Sequence, residues 1–307
     1  MKGLFLVFMT LFFVTTTVNS KEADLKLVKV TTDVYAIVGP LGNRSKQNLG
    51  NNATFGVVVT KAGVVLIDSG ATYEGAAKIH QLIKTITKLP VKIVINSGGQ
   101  DHRWLGNDYF KKQGAKIISS QHAVADQKAR QQDQFFMLGN LLGDNGIKKT
   151  NAVYADKTFS TKYSFSLGGV DFKITHAGGA HTPGDSFVWL PKQNAIFTGD
   201  IVYVERMLGV IGVSNSKTWL QVLEEIIKLK PKYVIPGHGN PTTIAVAKKD
   251  SYSYLVFLRN KVSEFINAGG GIENIGNLDQ SKYSYLKNYE TLKGRNAQQV
   301  FQELEFE

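Results

Sequence analysis

Apolar positions along the chain alternate with a period of two in some stretches and recur every three to four residues in others, so strands and helices are interleaved. "LKLVKV" and "DVYAIVG" read as two short strands, and "FGVVVTKAGVVLIDSG" as a hairpin turning at Lys61-Ala62-Gly63. Ile79, Leu82, Ile83 and Ile86 mark a helix that Pro90 stops, and "VKIVIN" is a buried strand. The alternation then repeats. "AKIISS" is a strand, residues 121–142 are helical, and "KTFSTKYSFSLGGVDFKITHA" gives alternating strands, followed by "DSFVWLP" and "NAIFTGD". Ser216 is the expected N-cap of a helix burying Leu220, Leu223, Ile226 and Ile227. After the strand in "KYVIPGHGN", a helix carries Leu255, Leu258, Val262 and Phe265 and ends at Gly269–Gly271; "RNAQQVFQELEFE" is a closing helix. Two runs of consecutive strands, each followed by strand–helix units, predict an α/β fold with two sheets face to face and helices outside, a four-layer αββα sandwich.

The amino terminus departs from this pattern. Lys2 precedes a run from Leu4 to Val14 broken by one Thr, and Val18-Asn19-Ser20 offers small residues for cleavage. Residues 1–20 therefore read as a secretory signal peptide, and residues 21–307 as one domain, periplasmic or secreted. The run is shorter than the ~20 apolar residues that span a bilayer, so no stable membrane span is expected after cleavage. The chain has no cysteine, which excludes thiol catalysis and Cys-ligated metal. Its formal charge of +11 comes from scattered Lys pairs without an Arg-rich stripe, so no nucleic-acid partner is expected.

Candidate chemistry gathers where strands end: Asp68-Ser69-Gly70, "INSGGQDHRWLGN" (95–107), "AGGAHTPGD" (177–185), Gly199-Asp200 and "PGHGN" (236–240). Each places Gly beside His or Asp, so that backbone can approach closely while the side chain enters a cleft. His80 lies just off the apolar stripe of its helix and is expected to face solvent. His122 and His176 have no ligand partner at motif spacing and are taken as structural. His102, His181 and His238 are candidate ligands, and imidazole with carboxylate suits zinc and also iron or manganese. A hydrolytic metal needs about three such ligands and an open position for water, whose pKa then falls to roughly 7.

The order "VVLIDSG", "VINS…DH…LGN", "AHTPGD", "FTGD" and "PGHGN" resembles the metallo-β-lactamase superfamily across nearly the whole chain after the leader. Within it, "VYAIVGPLGNRSKQNLGNNATFGVVVT" looks like the exported quinoprotein-relay or SoxH-like metallohydrolases. The resemblance implies a site-one ligand at His181, a bridging ligand at Asp200 and a site-two ligand at His238. Asp68 matches the residue that supports the ligand loop without ligating.

Residues 97–103 depart from the family's His-x-His-x-Asp-His. With Asn96 and Gly106-Asn107 as anchors and no gap, its four ligand positions hold Gly98, Gln100, His102 and Arg103. With Asp101-His102 taken as the Asp-His pair, site two would be Asp101, His102, His238 and Asp200, at the cost of compensating indels. Either register depletes site one and makes the dinuclear motif degenerate. The gapless one is favoured, and it puts Arg103 near the second metal's place, holding an anionic substrate or Asp200 with a fixed charge.

Two functions follow from the resemblance. The first is a hydrolase of a small ester or amide-type substrate, with one zinc ion (iron being the alternative) on His102, Asp200 and His238, helped by His181. Asp200, Arg103 and Gln100 would serve catalysis, Gln100 by positioning water or ligating weakly. The second is a binding protein that kept the scaffold and lost catalysis, with no metal. The segments "QQDQFFMLGNLL" and "YVERMLGVIG" are expected to wall the cleft, with Phe135, Phe136, Met137 and Met207 in the core.

Overall fold

The computed structural model describes residues 24–307, so the expected leader lies outside the described residues. Seven strands form the first sheet in chain order: β1 (Lys26–Thr31), β2 (Val34–Val38), β3 (Thr54–Thr60), β4 (Gly63–Ile67), β5 (Val91–Asn96), β6 (Lys116–Ser120) and β7 (Lys157–Phe159). The first four are an antiparallel meander, and β4 to β7 run parallel. The second sheet holds β8 (Lys162–Leu167), β9 (Val170–Thr175), β10 (Phe187–Leu190), β11 (Ala195–Phe197) and β12 (Tyr233–Ile235). Only its last pair, β11 with β12, is parallel.

Alternation along single strands builds the layers. In β4, Val65 and Ile67 face the second sheet, packing with Phe172, Val188 and Phe197, while Val64 and Leu66 face the helices. In β10 and β11, Val188, Leu190, Ala195 and Phe197 join the same central core, and Phe187 and Ile196 point the other way. Gly56 belongs to that packing: a Cβ there would lie 2.3 Å from the Phe197 ring.

Nine helices complete the described chain: α1 (Tyr73–Lys84), α2 (Asp101–Trp104), α3 (Asn107–Lys112), α4 (Gln121–Leu142), α5 (Asp144–Ile147), α6 (Ser216–Lys228), α7 (Ile244–Ala247), α8 (Ser253–Asn267) and α9 (Tyr289–Glu305). Ala76, Ile79 and Ile83 of α1 and Phe110 of α3 cover the first sheet. Trp219 and Ile226 of α6, Leu255 and Leu258 of α8 and Val300 of α9 cover the second. The fold is the expected αββα sandwich. Among the described residues, no helix is long and apolar enough to cross a membrane.

Three local expectations are corrected. His80 is buried rather than solvent-facing, because its ring wedges against Tyr109 and Phe110, with Nδ1 2.9 Å from the Tyr109 hydroxyl. The cap of α6 is Asn215, whose side chain accepts from Thr218 N; Ser216 is the first helical residue and donates to Glu303. Phe136 and Met137 are exposed, since α4 turns its inner face to the 98–100 loop with polar groups, whereas Met207 is in the core as expected.

Candidate metal centre

The loops that carry chemistry converge at the carboxyl ends of β4, β5, β11 and β12, joined by the loop after β9. Asp68 leaves β4 with a φ of 67°, and its carboxylate accepts from the Ser97 amide (2.7 Å) and hydroxyl (2.8 Å). The loop after β5 is closed by Asn96 and Asn107, whose amides exchange hydrogen bonds of 2.9 and 2.8 Å. Between those two residues, α2 presents Asp101, His102 and Arg103 inward, all buried.

Arg103 has no exposed surface and uses all five of its N–H donors inside the protein. Nε and Nη2 grip Asp200 at 3.0 and 2.6 Å, Nη1 reaches Asp68 at 2.8 Å and the Thr54 carbonyl at 3.2 Å, and Nη2 also reaches the Gly237 carbonyl at 2.9 Å. Of the two roles expected for it, the geometry leaves the hold on Asp200; no donor remains for a substrate. Burial pushes the Asp200 carboxyl upward, but Arg103 and the neighbouring imidazoles outweigh this and hold it well below the usual carboxylate range.

His102 and His238 approach Asp200 from the other side. His102 Nε2 lies 3.1 Å from Oδ2 and His238 Nε2 lies 3.2 Å from Oδ1. The ligand atoms of the three residues all fall within 4.8 Å of one another. His102 Nδ1 faces Asp101 at 3.1 Å, so the ring stands between two carboxylate oxygens. A metal on Nε2 would leave the Nδ1 proton to be donated to Asp101. His238 Nδ1 lies 3.0 Å from the Asn52 carbonyl, and Tyr203 stacks on the ring at 4.6 Å. Burial first, then the charge of Arg206, pushes His238 well below the usual imidazole range, keeping it neutral and fit to ligate. These buried nitrogen and oxygen donors suit a divalent metal, with His102, Asp200 and His238 as its holders.

His181 lies outside that cluster. Its Nδ1 donates to the Gly209 carbonyl at 2.8 Å, leaving Nε2 available, and burial lowers its pKa. Asp101 is turned from the cluster toward Arg44, with which it forms an ion pair, and supports His102 from behind. Burial raises the Asp101 carboxyl, but Arg44 and His102 reverse this and leave it lowered. Gln100 is half-buried and lines a cavity of about 580 Å³ with Asp101, Arg44 and Arg130. Met137, Gly209 and Ile211, from the two segments expected to wall the cleft, line it too. Where the family motif would place a histidine at position 98, a side chain would require Asp185 to move: a Cβ on Gly98 would lie 2.3 Å from its Oδ1. At Gly99 it would lie 1.8 Å from Asp126 Oδ2.

Arg44, Asn52 and Asp126 sit in stretches that read as loop or helix and meet the site only through the fold, while Asp185 ends the 177–185 candidate stretch without a role of its own in the sequence. The stacked pair His122 and His176, 4.6 Å apart, is separate from the cluster; His176 Nδ1 donates to the Asp185 carbonyl.

A model of the metallo-beta-lactamase superfamily matches residues 50–238, so the chain belongs to that metal-dependent hydrolase superfamily. Metallo-beta-lactamase IND-1 of Chryseobacterium indologenes is 27% identical over 212 residues, covering 63% of this chain and 79% of that protein. A metallo-beta-lactamase structure from Pontibacter korlensis superposes with a TM-score of 0.60 at 24% identity, over 76% of this chain and 99% of its own. The sec-alkylsulfatase Pisa1 from Pseudomonas sp. superposes with a TM-score of 0.68 at 18% identity, over 91% of this chain and 50% of its own. This chain thus spans half of the sulfatase, and at such identities both structures bear on the fold alone.

Proposed function

We propose that the protein is an exported hydrolase that uses one metal ion, zinc by the chemistry of the donors, to cleave a small ester or amide-type substrate. The observation that carries this reading is a buried cluster in which His102 Nε2 faces one oxygen of Asp200 and His238 Nε2 the other, with one donor atom from each residue within 4.8 Å of the others. A bound divalent metal would supply Lewis acidity and a water made acidic enough to react near neutral pH.

The chain's own groups do the rest. Arg103 fixes Asp200 so that each carboxylate oxygen keeps one face toward an imidazole. Asp101 and the Asn52 carbonyl orient His102 and His238 through Nδ1. Asp185 and Asp126 fill the places next to Gly98 and Gly99, which supports a single-metal site over the dinuclear one and fits a degenerate motif. The sequence "VYAIVGPLGNRSKQNLGNNATFGVVVT" and the amino-terminal apolar run support the SoxH-like branch and a periplasmic or secreted location.

The test is hydrolysis of a panel of small aryl esters, amides and sulfate esters by protein loaded with one equivalent of zinc. Turnover of any of them, abolished in Asp200→Asn, supports the reading. No turnover above the chelated protein on the whole panel would leave the binding-protein reading in its place.

A further inference from the structure

The inner face of α4 is polar, and it is aimed at the residues that replace the usual metal ligands. Gln127 Nε2 donates to the Gly98 carbonyl at 3.1 Å, and Gln134 Nε2 donates to the Gly99 carbonyl at 2.8 Å. One turn from each, Arg130 extends Nη1 to Gln100 Oε1 at 3.2 Å while its Nε holds Asp126 at 2.7 Å, in an ion pair completed by Nη2. The spacing 127, 130, 134 puts these side chains on one helix face.

Arginine has no acceptor, so Arg130 fixes which end of the Gln100 carboxamide faces it. The oxygen is engaged, and the NH2 group makes no hydrogen bond to another described residue while the side chain lines the cavity beside the metal cluster. An amide held this way offers a donor, and a metal would need its oxygen. The same wall carries other donors, including Arg295 and Gln299 of α9. Of its carboxylates, Asp101 is neutralised by Arg44 and Asp133 is exposed.

We propose that Gln100 is a substrate-binding hydrogen-bond donor aimed by Arg130, and that the cavity takes a small anionic molecule rich in oxygen acceptors. The assignment treats this cavity as the substrate site of the hydrolase proposed above. Asp126 holds Arg130, and Arg130, which also lines the cavity, aims Gln100; both act as positioning residues.

The probe is succinate, titrated into the full chain after chelation, so that the dianion cannot bind through a metal. The Gln100 side-chain amide signals, identified by their loss in Gln100→Glu, should shift on titration. The dissociation constant should rise about tenfold or more, about 1.4 kcal/mol or more, in Gln100→Glu and Arg130→Met, with Arg130→Lys between. Gln100→Glu keeps an acceptor for Arg130 and so controls for lost folding, and Gln100→Leu, expected to weaken succinate as much, removes the donor without adding a charge that repels the dianion. Zinc stoichiometry should be unchanged in all of these variants. Succinate that leaves the Gln100 amide unmoved, or that binds Gln100→Glu as tightly as the parent, overturns the proposal. Loss of zinc in Gln100→Leu, which offers no oxygen, also overturns it, because Gln100 would then be a ligand. Failure of the hydrolase reading is separable: a zinc-loaded chain that hydrolyses nothing yet binds succinate in this Gln100-dependent way keeps the site and loses the catalysis.

Discussion

Arg103 grips both oxygens of Asp200, at 2.6 and 3.0 Å, and ties the same guanidinium to Asp68 at 2.8 Å. One buried cation thus joins the loops after β4, β5 and β11, and fixes the carboxylate that His102 and His238 approach from the opposite side. Removing it would strand two buried carboxylates. Arg103→Met should therefore cost about 3–5 kcal/mol of stability in urea denaturation. Arg103→Lys should recover only part of this, because an ammonium cannot span Asp200 as a planar fork does. A loss below about 1 kcal/mol, the range of a surface ion pair, would show that the bridge does not organise the site.

Restoring the family's missing histidine should fail. The carboxylate of Asp185 stands 2.3 Å from where a Cβ on Gly98 would be. Gly98→His is expected to lower the melting temperature and add no second equivalent of metal. A stable variant binding two equivalents would mean that the loop yields easily and that the glycine is incidental.

Asp185 gives the protein a pH dependence of its own. Burial, followed by the nearby charge of Asp200, raises its carboxyl to about 8. The folded value lies above the unfolded value of about 4, so the stabilising contribution is complete below about pH 4 and is lost as pH rises through the folded value. Asn at this position keeps one oxygen to accept from the Thr182 amide, sets an NH2 group against the Thr182 hydroxyl, which must turn to accept, and cannot ionise. The melting temperature of Asp185→Asn should match the parent near pH 5 and exceed it by roughly a few degrees near pH 9. Parallel curves across that range would place the titration elsewhere.

Metal and protons compete for the same lone pairs. His102 Nε2 and His238 Nε2 both face Asp200, so a metal bound among them takes lone pairs that protons otherwise compete for. Zinc affinity measured by competition with a chelator should rise from pH 5.5 to 7.5, with proton release detectable by calorimetry in buffers of different ionisation enthalpy. A pH-independent affinity with no proton release would show that the metal displaces no proton from the cluster; His238, held neutral by burial, would be unaffected by that outcome.

The layers were legible in the sequence because burial follows strand alternation: Val64 and Leu66 face one way, Val65 and Ile67 the other. His102, Asp200 and His238 were legible too, since each sits beside glycine at a strand end. The supporting groups were not. Arg130 lies in a stretch read only as helical and Gln134 in the segment expected to wall the cleft, and only the packing of α4 on the 98–100 loop gives them partners. His80 misled for the opposite reason. It lies beside an apolar stripe, and the aromatic pair that buries it comes from α3, which no local pattern announces.

Elemental analysis of protein purified without added metal, and again after one equivalent of zinc and desalting, measures whether His102, Asp200 and His238 hold one metal. Close to one equivalent is expected, lost in His238→Ala and in Asp200→Ala while each variant keeps its circular dichroism spectrum. Less than about a tenth of an equivalent in the folded parent after zinc loading, against a site built from three such donors, would contradict it.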